Sequence, residues 1–400
     1  MRHVKLLIIL LLFCCGEDSK KPAGYLPPLR DVFELELSFG AENVKDEFLL
    51  AIPQDIAVDE AGNMYVTDED RIKVFDSNGK EKTIIGGPGQ GPGEFSSTPK
   101  LSINDDGLLT ALAGSSFNLF SANNKFIRKI QYKNEPLYNN YKKEKALIRQ
   151  FQPENVCSLS ETERIVTAGA WKELKDGNLV TADVIIYEKA DTLIELVHHA
   201  PDNIKGLRDV ARISLTSGEQ KVYAPVHHKF YVTILPNKHI AYTHSFYDAK
   251  NDNNEFTYTI HIVNLENLQE YQISLDYKPV NIQKELSSGR YNEQGEKVLK
   301  SFLKNMKYFS PLSSLLYDKE LIFAVHDMYP ASLDILLKEG ETSEFLTDIF
   351  DSETGKYLKS AYFPFNPDVI KNGYAYRIKL GIDIFPQIEK YKIDPAVYGK

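Results

Sequence analysis

Four groups of residues in this 400-residue chain have types and spacings that invite chemistry. Sulfur comes first: Cys14 and Cys15 adjoin near the start, and Cys157 stands alone. A thiol can be a nucleophile, but there is no Gly-x-Ser-x-Gly motif or comparable constellation, and Cys157 falls in an apparent strand, where a small buried hydrophobe is the default. Histidine comes second, as the pairs His198-His199 and His227-His228. Adjacent side chains of a strand point to opposite faces, so neither pair chelates one metal by itself, and ordinary strand or surface histidines are expected. Third is the run Asp-Ala-Lys-Asn-Asp-Asn-Asn-Glu at 248–255. It lacks the alternating acids, central glycine and twelfth-position glutamate of a calcium loop, and Asp and Asn serve equally well at a hairpin tip. Fourth is the glycine-rich stretch 86–95, Gly-Gly-Pro-Gly-Gln-Gly-Pro-Gly-Glu-Phe. Prolines interrupt it, no Lys-Ser/Thr follows, and its flanks are strand-like, so a connecting turn is expected rather than a phosphate cradle. No catalytic, cofactor-binding or metal-ligating residue is assigned on these grounds.

The two early cysteines have a clearer context. Arg2, His3 and Lys5 precede eight apolar residues, Leu6 to Phe13. That is far short of the ~20 needed to span a bilayer as a helix, and a basic region followed by a short apolar one is a secretory signal. Bacterial lipoprotein signals resemble this order, with leucine three residues before the modified cysteine. Leu12 fits that place for Cys15; the alternative, Cys14, puts bulky Phe13 at the cleaved bond. An ordinary cleaved signal is the competing reading, but no small-x-small site precedes Gly16. Modification gives the thiol a diacylglyceryl group and acylates the new N-terminus, and two or more chains hold stably where one does not. Glu17 and Asp18 follow at once, which resembles a surface-export tag of Bacteroidetes lipoproteins. Lys20, Pro22, Pro27 and Pro28 make a polar, proline-bearing tether. The expected organisation is a signal peptide at 1–14, a tether at 15–30 and a single domain at 31–400, placed in the cell envelope at the outer membrane.

Charge narrows the partners. Loss of residues 1–14 removes Arg2 and Lys5 and no acid, taking the formal charge from −9 to −11. An acidic chain with no basic block argues against nucleic acid, whose binding rests on phosphate neutralisation, and against docking on anionic lipid. Contact with the membrane is expected through the lipid alone. Cys157 has no internal disulfide partner, so the fold depends on its core.

The elements that must position any site are read from a repeat. Residues 56–62 and 101–107 correspond, as do 72–78 and 117–123, at a common offset of 45. A period of roughly 40–45 with four short strands per unit suits β-propeller blades. In the first unit Ile56 and Val58 alternate with polar neighbours, 59–63 is a turn cluster with Gly62 free to take positive φ, and 64–67, 72–75 and 82–85 supply the returning strands. Weaker copies follow: a third unit from 156–168, 184–187 and 193–197; a fourth from 231–243, 258–263 and 270–275; a fifth from 315–325, 333–337, 345–350 and 357–362. The last stretch offers 369–370, 374–378 and 387–393 and then stops. Residues 32–39 form an orphan strand that would complete this final blade, giving six and hiding two strand edges. Over 283–307 the apolar spacing predicts an amphipathic helix inserted before the fifth blade.

Residues 56–68, 71–76 and 86–95 together look like an NHL-type blade, and the whole resembles the six-bladed β-propeller lipoproteins of Bacteroidetes. The sharp part of the resemblance covers about residues 53–131. It implies an all-β fold and an envelope location more than an activity. The function expected is non-enzymatic binding of an envelope protein or glycan, with no cofactor; the alternative is a metal-dependent hydrolase or lyase using a channel site. The long insertions 171–181, 198–229, 246–256 and 283–306 are the expected binding loops. They carry the aromatic candidates Trp171, Tyr223, Phe246 and Tyr247, because aromatics anchor binding hot spots.

Overall fold

The computed structural model describes residues 26–40, 45–132, 135, 138–141, 147–173, 179–199, 229–245, 247–252, 255–280, 308, 310–327, 344–381 and 385–399; for strand residues 147–151, 170–173, 179–181 and 250–252 only the backbone is described. Cys14, Cys15, His227, His228, the helix expected over 283–307 and the strand expected over 333–337 lie outside these residues.

The chain begins with β1 (Phe33–Phe39) and then lays down six antiparallel sheets. Blade one is β2 (Pro53–Val58), β3 (Met64–Asp68), β4 (Arg71–Phe75) and β5 (Glu81–Ile85). Blade two is β6 (Lys100–Ile103), β7 (Leu109–Ala113), β8 (Ser116–Phe120) and β9 (Phe126–Gln131). Blade three is β10 (Leu147–Ser158), β11 (Glu163–Glu173), β12 (Leu179–Lys189) and β13 (Thr192–His199). Blade four has five strands: β14 (Phe230–Leu235), β15 (His239–His244), β16 (Ala249–Asp252), β17 (Glu255–Asn264) and β18 (Glu270–Asp276). Blade five is β19 (Leu312–Asp318), β20 (Leu321–His326), β21 (Phe345–Asp351) and β22 (Tyr357–Phe363). Blade six is β23 (Val369–Lys371), β24 (Tyr374–Lys379) and β25 (Gln387–Ile393), with β1 paired antiparallel to β25 from Phe33↔Ile393 to Phe39↔Ile388. The fifth blade is therefore complete without residues 333–337.

The 45-residue repeat has a physical origin in its turns. Asp59 Oδ1 accepts the Asn63 N–H at 2.8 Å, and Asn104 Oδ1 accepts the Leu108 N–H at 2.8 Å. In each turn the third residue onward is a glycine at positive φ, Gly62 at 79° and Gly107 at 77°. Only glycine takes that conformation without steric cost, so the repeat reappears wherever the turn does.

The core is divided into six apolar clusters, one at each joint between neighbouring sheets. Six joints for six sheets require a ring; an open fan would have five. Phe95, fully buried at the joint of blades one and two, caps the glycine-rich stretch. A Cβ on Gly86 would lie 2.3 Å from the Phe95 ring. Gly89 donates to the Phe95 carbonyl and Phe95 to that of Gly87, both at 2.9 Å, so the stretch folds on itself as the connection from β5 to β6.

One expectation is corrected in blade three. Residues 171–181 are not a loop throughout, because β11 continues to Glu173 and β12 begins at Leu179. Trp171 pairs with Arg149 and Thr181 as part of a lengthened sheet. The helical content among the described residues is slight: the turns Asp46–Phe48 and Pro395–Tyr398 and a single turn at 138–141.

Candidate functional site

The strand order sorts every connection onto one of two faces. The first strand of each blade lies beside the first strands of its neighbours and surrounds the axis. At the end where these strands finish, the chain makes tight turns: 59–63, 104–108, 159–162, 236–238, 319–320 and 372–373, then 76–80, 121–125, 190–191, 265–269 and 352–356. At the end where they start, the described strand ends open onto the connections between blades and between second and third strands, of which 86–99, 114–115, 247–248, 277–280 and 310–311 are described. The described start of the chain and residues 394–399 lie on the turn face, where the Asp394 N–H donates to the Val32 carbonyl at 2.8 Å.

Charge differs between the faces. On the turn face Lys371 contacts both Glu60 and Asp105, the latter at 3.0 Å, tying blades six, one and two. Buried Asp318 accepts the N–H groups of Asn372 and Gly373 at 2.7 and 2.8 Å and the Tyr398 hydroxyl at 2.7 Å. Lys371 is thus paired with acids, and Asp318 is satisfied by three hydrogen-bond donors.

The loop face carries a ring of polar groups at the starts of the first strands. Asp55 accepts the N–H of Ile56 at 2.9 Å and, across the joint, that of Leu101 at 2.7 Å. Asp368 accepts the Ile378 N–H at 2.8 Å. Lys100 donates to the Glu154 carbonyl at 3.1 Å, and Lys229 lies 4.8 Å from the Tyr231 ring centre. Asp55 is half-buried and Asp368 is exposed at the mouth of the ring, with protein atoms around both. Loss of hydration raises both carboxyl groups to about 6. Burial also raises Glu154, with Asp183 adding to it, and lowers Lys229, with Lys100 adding to it.

Where blades three and four meet, the loop face holds histidines. His244 Nε2 meets Asp183 at 3.2 Å across the joint, while its Nδ1 accepts the Tyr247 N–H at 3.1 Å, so Nε2 is the ring nitrogen that donates to Asp183. Asp248 accepts the His244 N–H at 2.6 Å and meets His261 Nε2 at 3.1 Å; Glu270 meets His261 Nδ1 at 2.6 Å. Burial opposes charge on His261, but these two carboxylates outweigh it and hold the ring up at about 9. The neighbours His198 and His199 do take different partners. His198 meets Glu195 at 3.2 Å, and His199 stacks on Tyr247 at 4.6 Å and on Phe230 at 5.6 Å. Burial lowers His199, with the nearby His244 adding to it.

Of the aromatic candidates, Tyr247 packs its half-buried ring on His199 and His244 of its own region. Trp171 sits on β11 with its side chain outside the description, and Tyr223 and Phe246 lie outside the described residues. The run 248–255 is spent on structure: Asp248 holds His244 and His261, and Ala249–Asp252 pairs with β17 as a hairpin. Cys157 is half-buried beside Ser102, and desolvation pushes its thiol up to about 11. Among the described residues no group of three His, Cys, Asp or Glu is placed to hold a metal ion. Sequence reasoning missed Asp55 and Asp368; the available signal was a polar residue directly before the first apolar strand residue, Ile56 or Val369.

A profile of the DUF5128 family, described as a 6-bladed beta-propeller, matches residues 29–155. A search of curated proteins gave no match. Among solved structures, a chain of a mitotic checkpoint complex aligns over 98% of this chain and 100% of its own, at 10% identity and a TM-score of 0.40. A putative exported protein of Bacteroides fragilis aligns over 94% and 98%, at 11% identity and a TM-score of 0.33. The extracellular domain of a putative hybrid two-component system of B. thetaiotaomicron aligns over 85% of this chain and 40% of its own, at 9% identity and a TM-score of 0.36. Likenesses at this level transfer no function. The six joint clusters and the family match together identify the chain as an all-β protein built as a six-bladed β-propeller.

Proposed function

We propose that this propeller is an envelope lipoprotein that binds a protein or glycan partner, without catalysis, through its loop face. In this reading lipid on Cys15, with Cys14 as the alternative, holds the chain at the outer membrane, and β1 closes the ring by completing blade six. The carrying observation is the division of labour between faces: long connections and uncompensated polar groups gather on one, while compensated turns and both described chain ends occupy the other. Loops projecting from a rigid scaffold commonly carry recognition. A chain held from the turn face leaves the loop face free.

Two experiments test this. Metabolic labelling with a palmitate analogue marks the wild type, and Cys15→Ala abolishes the mark. Loss with Cys14→Ala alone moves the site, and no label in any form ends the anchor reading. For the binding face, a 5 kDa polyethylene glycol maleimide, a size chosen to cover a loop rather than a blade, is attached at Ser115→Cys on the loop face or Asp191→Cys on the turn face, both exposed positions. Both variants carry Cys157→Ser, because Cys157 is half-buried, although its raised thiol slows reaction. Capture of partners from envelope extract is blocked at Ser115 and retained at Asp191; the reverse result overturns the assignment.

A further inference from the structure

Asp55 and Asp368 stand apart from the other acids. They sit at the starts of β2 and β23, neighbouring first strands of blades one and six. Among the described residues each accepts only backbone N–H groups, and neither has a cationic side chain in contact. The nearby cations are committed elsewhere. Arg377 and Lys379 both hold Glu389, at 2.6 and 2.7 Å, Lys73 holds Asp68 at 2.6 Å, and Lys100 reaches the Glu154 carbonyl. Desolvation raises both carboxyl groups, and Asp368 adds to the rise of Asp55, while Lys100 and Arg377 favour ionisation of Asp55 and Asp368 respectively from a distance without prevailing. Two neighbouring carboxylates without a counter-ion, one half-buried and one exposed, are stabilised by a cation delivered to them.

The rim beside them is apolar. Ile52, Leu380 and Phe385 are 60%, 64% and 63% exposed, and Leu49 is also exposed. These residues belong to two connections that meet. A Cβ on Gly40 would lie 2.7 Å from Leu50 Cδ1 and 3.1 Å from the Pro386 carbonyl oxygen, so the segment leading into β2 and the one leading into β25 press on the same point. Asp68 fixes the first segment by accepting the N–H groups of Ala51 at 3.0 Å and Ile52 at 2.6 Å, which turns the Ile52 side chain outward. Single exposed apolar side chains are ordinary; four on two touching segments beside an unneutralised acidic pair are a docking surface with a defined charge preference.

We infer that the loop face at the joint of blades six and one docks a polypeptide segment that presents a lysine or arginine between apolar side chains, the cation entering between Asp55 and Asp368 and the apolar groups covering Ile52, Leu380 and Phe385. This deepens the reading of the loop face as the binding face and rests on it. Exposed apolar area sets the footprint, and the two carboxylates select the cationic member of otherwise similar segments.

The test is fluorescence anisotropy on the full chain with dansyl-Gly-Leu-Lys-Phe-Leu-amide and the same peptide carrying norleucine for lysine. At pH 7.5 the lysine peptide binds at least tenfold more tightly. Asp368→Asn cuts that preference severalfold and Asp55→Asn/Asp368→Asn removes it, while Ile52→Ser/Phe385→Ser weakens both peptides alike. Lowering the pH from 7.5 to 5 in the unmutated chain, which needs no variant to fold, reduces the preference as the carboxylates take up protons. Equal binding of the two peptides, binding of neither, or a preference indifferent to both pH and Asp368→Asn overturns this site. Partner capture that is blocked at Ser115 yet indifferent to Asp368→Asn refutes the site and leaves the loop-face reading intact; capture insensitive to the Ser115 block refutes that reading itself.

Discussion

The two faces of this ring solve the same electrostatic problem differently. On the turn face, Asp318 is buried and satisfied by two backbone N–H groups and a tyrosine hydroxyl, and Lys371 lies between two acids. On the loop face, half-buried Asp55 and exposed Asp368 have backbone donors only among the described residues. A buried polar group with full partners fixes geometry, whereas one short of a counter-charge is held at a cost by the rest of the fold. The turn face is thus built for stability, and the loop face stores an unmet demand.

Deleting residues 1–39 is the most disruptive way to challenge this division, because it strips β25 of its partner at the place where both chain ends meet the turn face. The truncated chain loses cooperative melting or aggregates through the bared edge; an unchanged calorimetric transition would show that β1 does not close the ring. Asp318→Ala comes next. It abandons three hydrogen bonds at a residue that is 4% exposed and should cost on the order of 3 kcal/mol. Urea unfolding measures this, and a loss below about 1 kcal/mol, the range of a single ordinary hydrogen bond, would erase the contrast.

Asp368→Asn has the smallest effect and the most telling sign. The carboxyl of Asp368 is raised to about 6 in the folded chain, above its ordinary value of 3.8. The folded state then binds more protons than the unfolded one between those values, so the stability it contributes is present at pH 4 and lost as pH rises through 6. The asparagine variant carries no such penalty. Its Tm should exceed that of the wild type at pH 8, with the difference narrowing as pH falls through 6 and vanishing only below 3.8, the ordinary carboxyl value. A variant less stable than wild type at pH 8 would place Asp368 among the compensated acids.

Much of the scaffold was legible because its cause is local. The turn at Asp59 and Gly62 repeats at Asn104 and Gly107, so a fixed offset exposed the blade period. Blades three to five were harder to read. There the strands lengthen past the repeat, as β11 does to Glu173, and blade four adds β16, so the spacing between turns is lost. The histidine pair His198-His199 was rightly read as facing two ways, since alternation is a property of any strand. The loop-face acids were not legible. Asp55 and Asp368 lie near opposite ends of the sequence and become neighbours only when the ring is complete, and nothing local tells an unpaired carboxylate from a paired one.

The contact of the incoming chain with blade five also has a mechanical meaning. Before it reaches β1, the chain bridges β22: Leu29 donates to the Ser360 carbonyl at 2.9 Å and accepts the Tyr362 N–H at 2.8 Å, while Arg30 pairs with Glu344 and lies over the Tyr362 ring. Phe33 then seats 4.6 Å from Phe363 and 5.3 Å from Phe365. Tension applied through the preceding segment therefore falls first on blade five, not on the pairing of β1 with β25. Peeling β1 one hydrogen bond at a time would need little force, but this clamp has to yield before peeling begins. A domain dragged by its leash is loaded across two blades, and the ring's seam is the second thing to feel the pull.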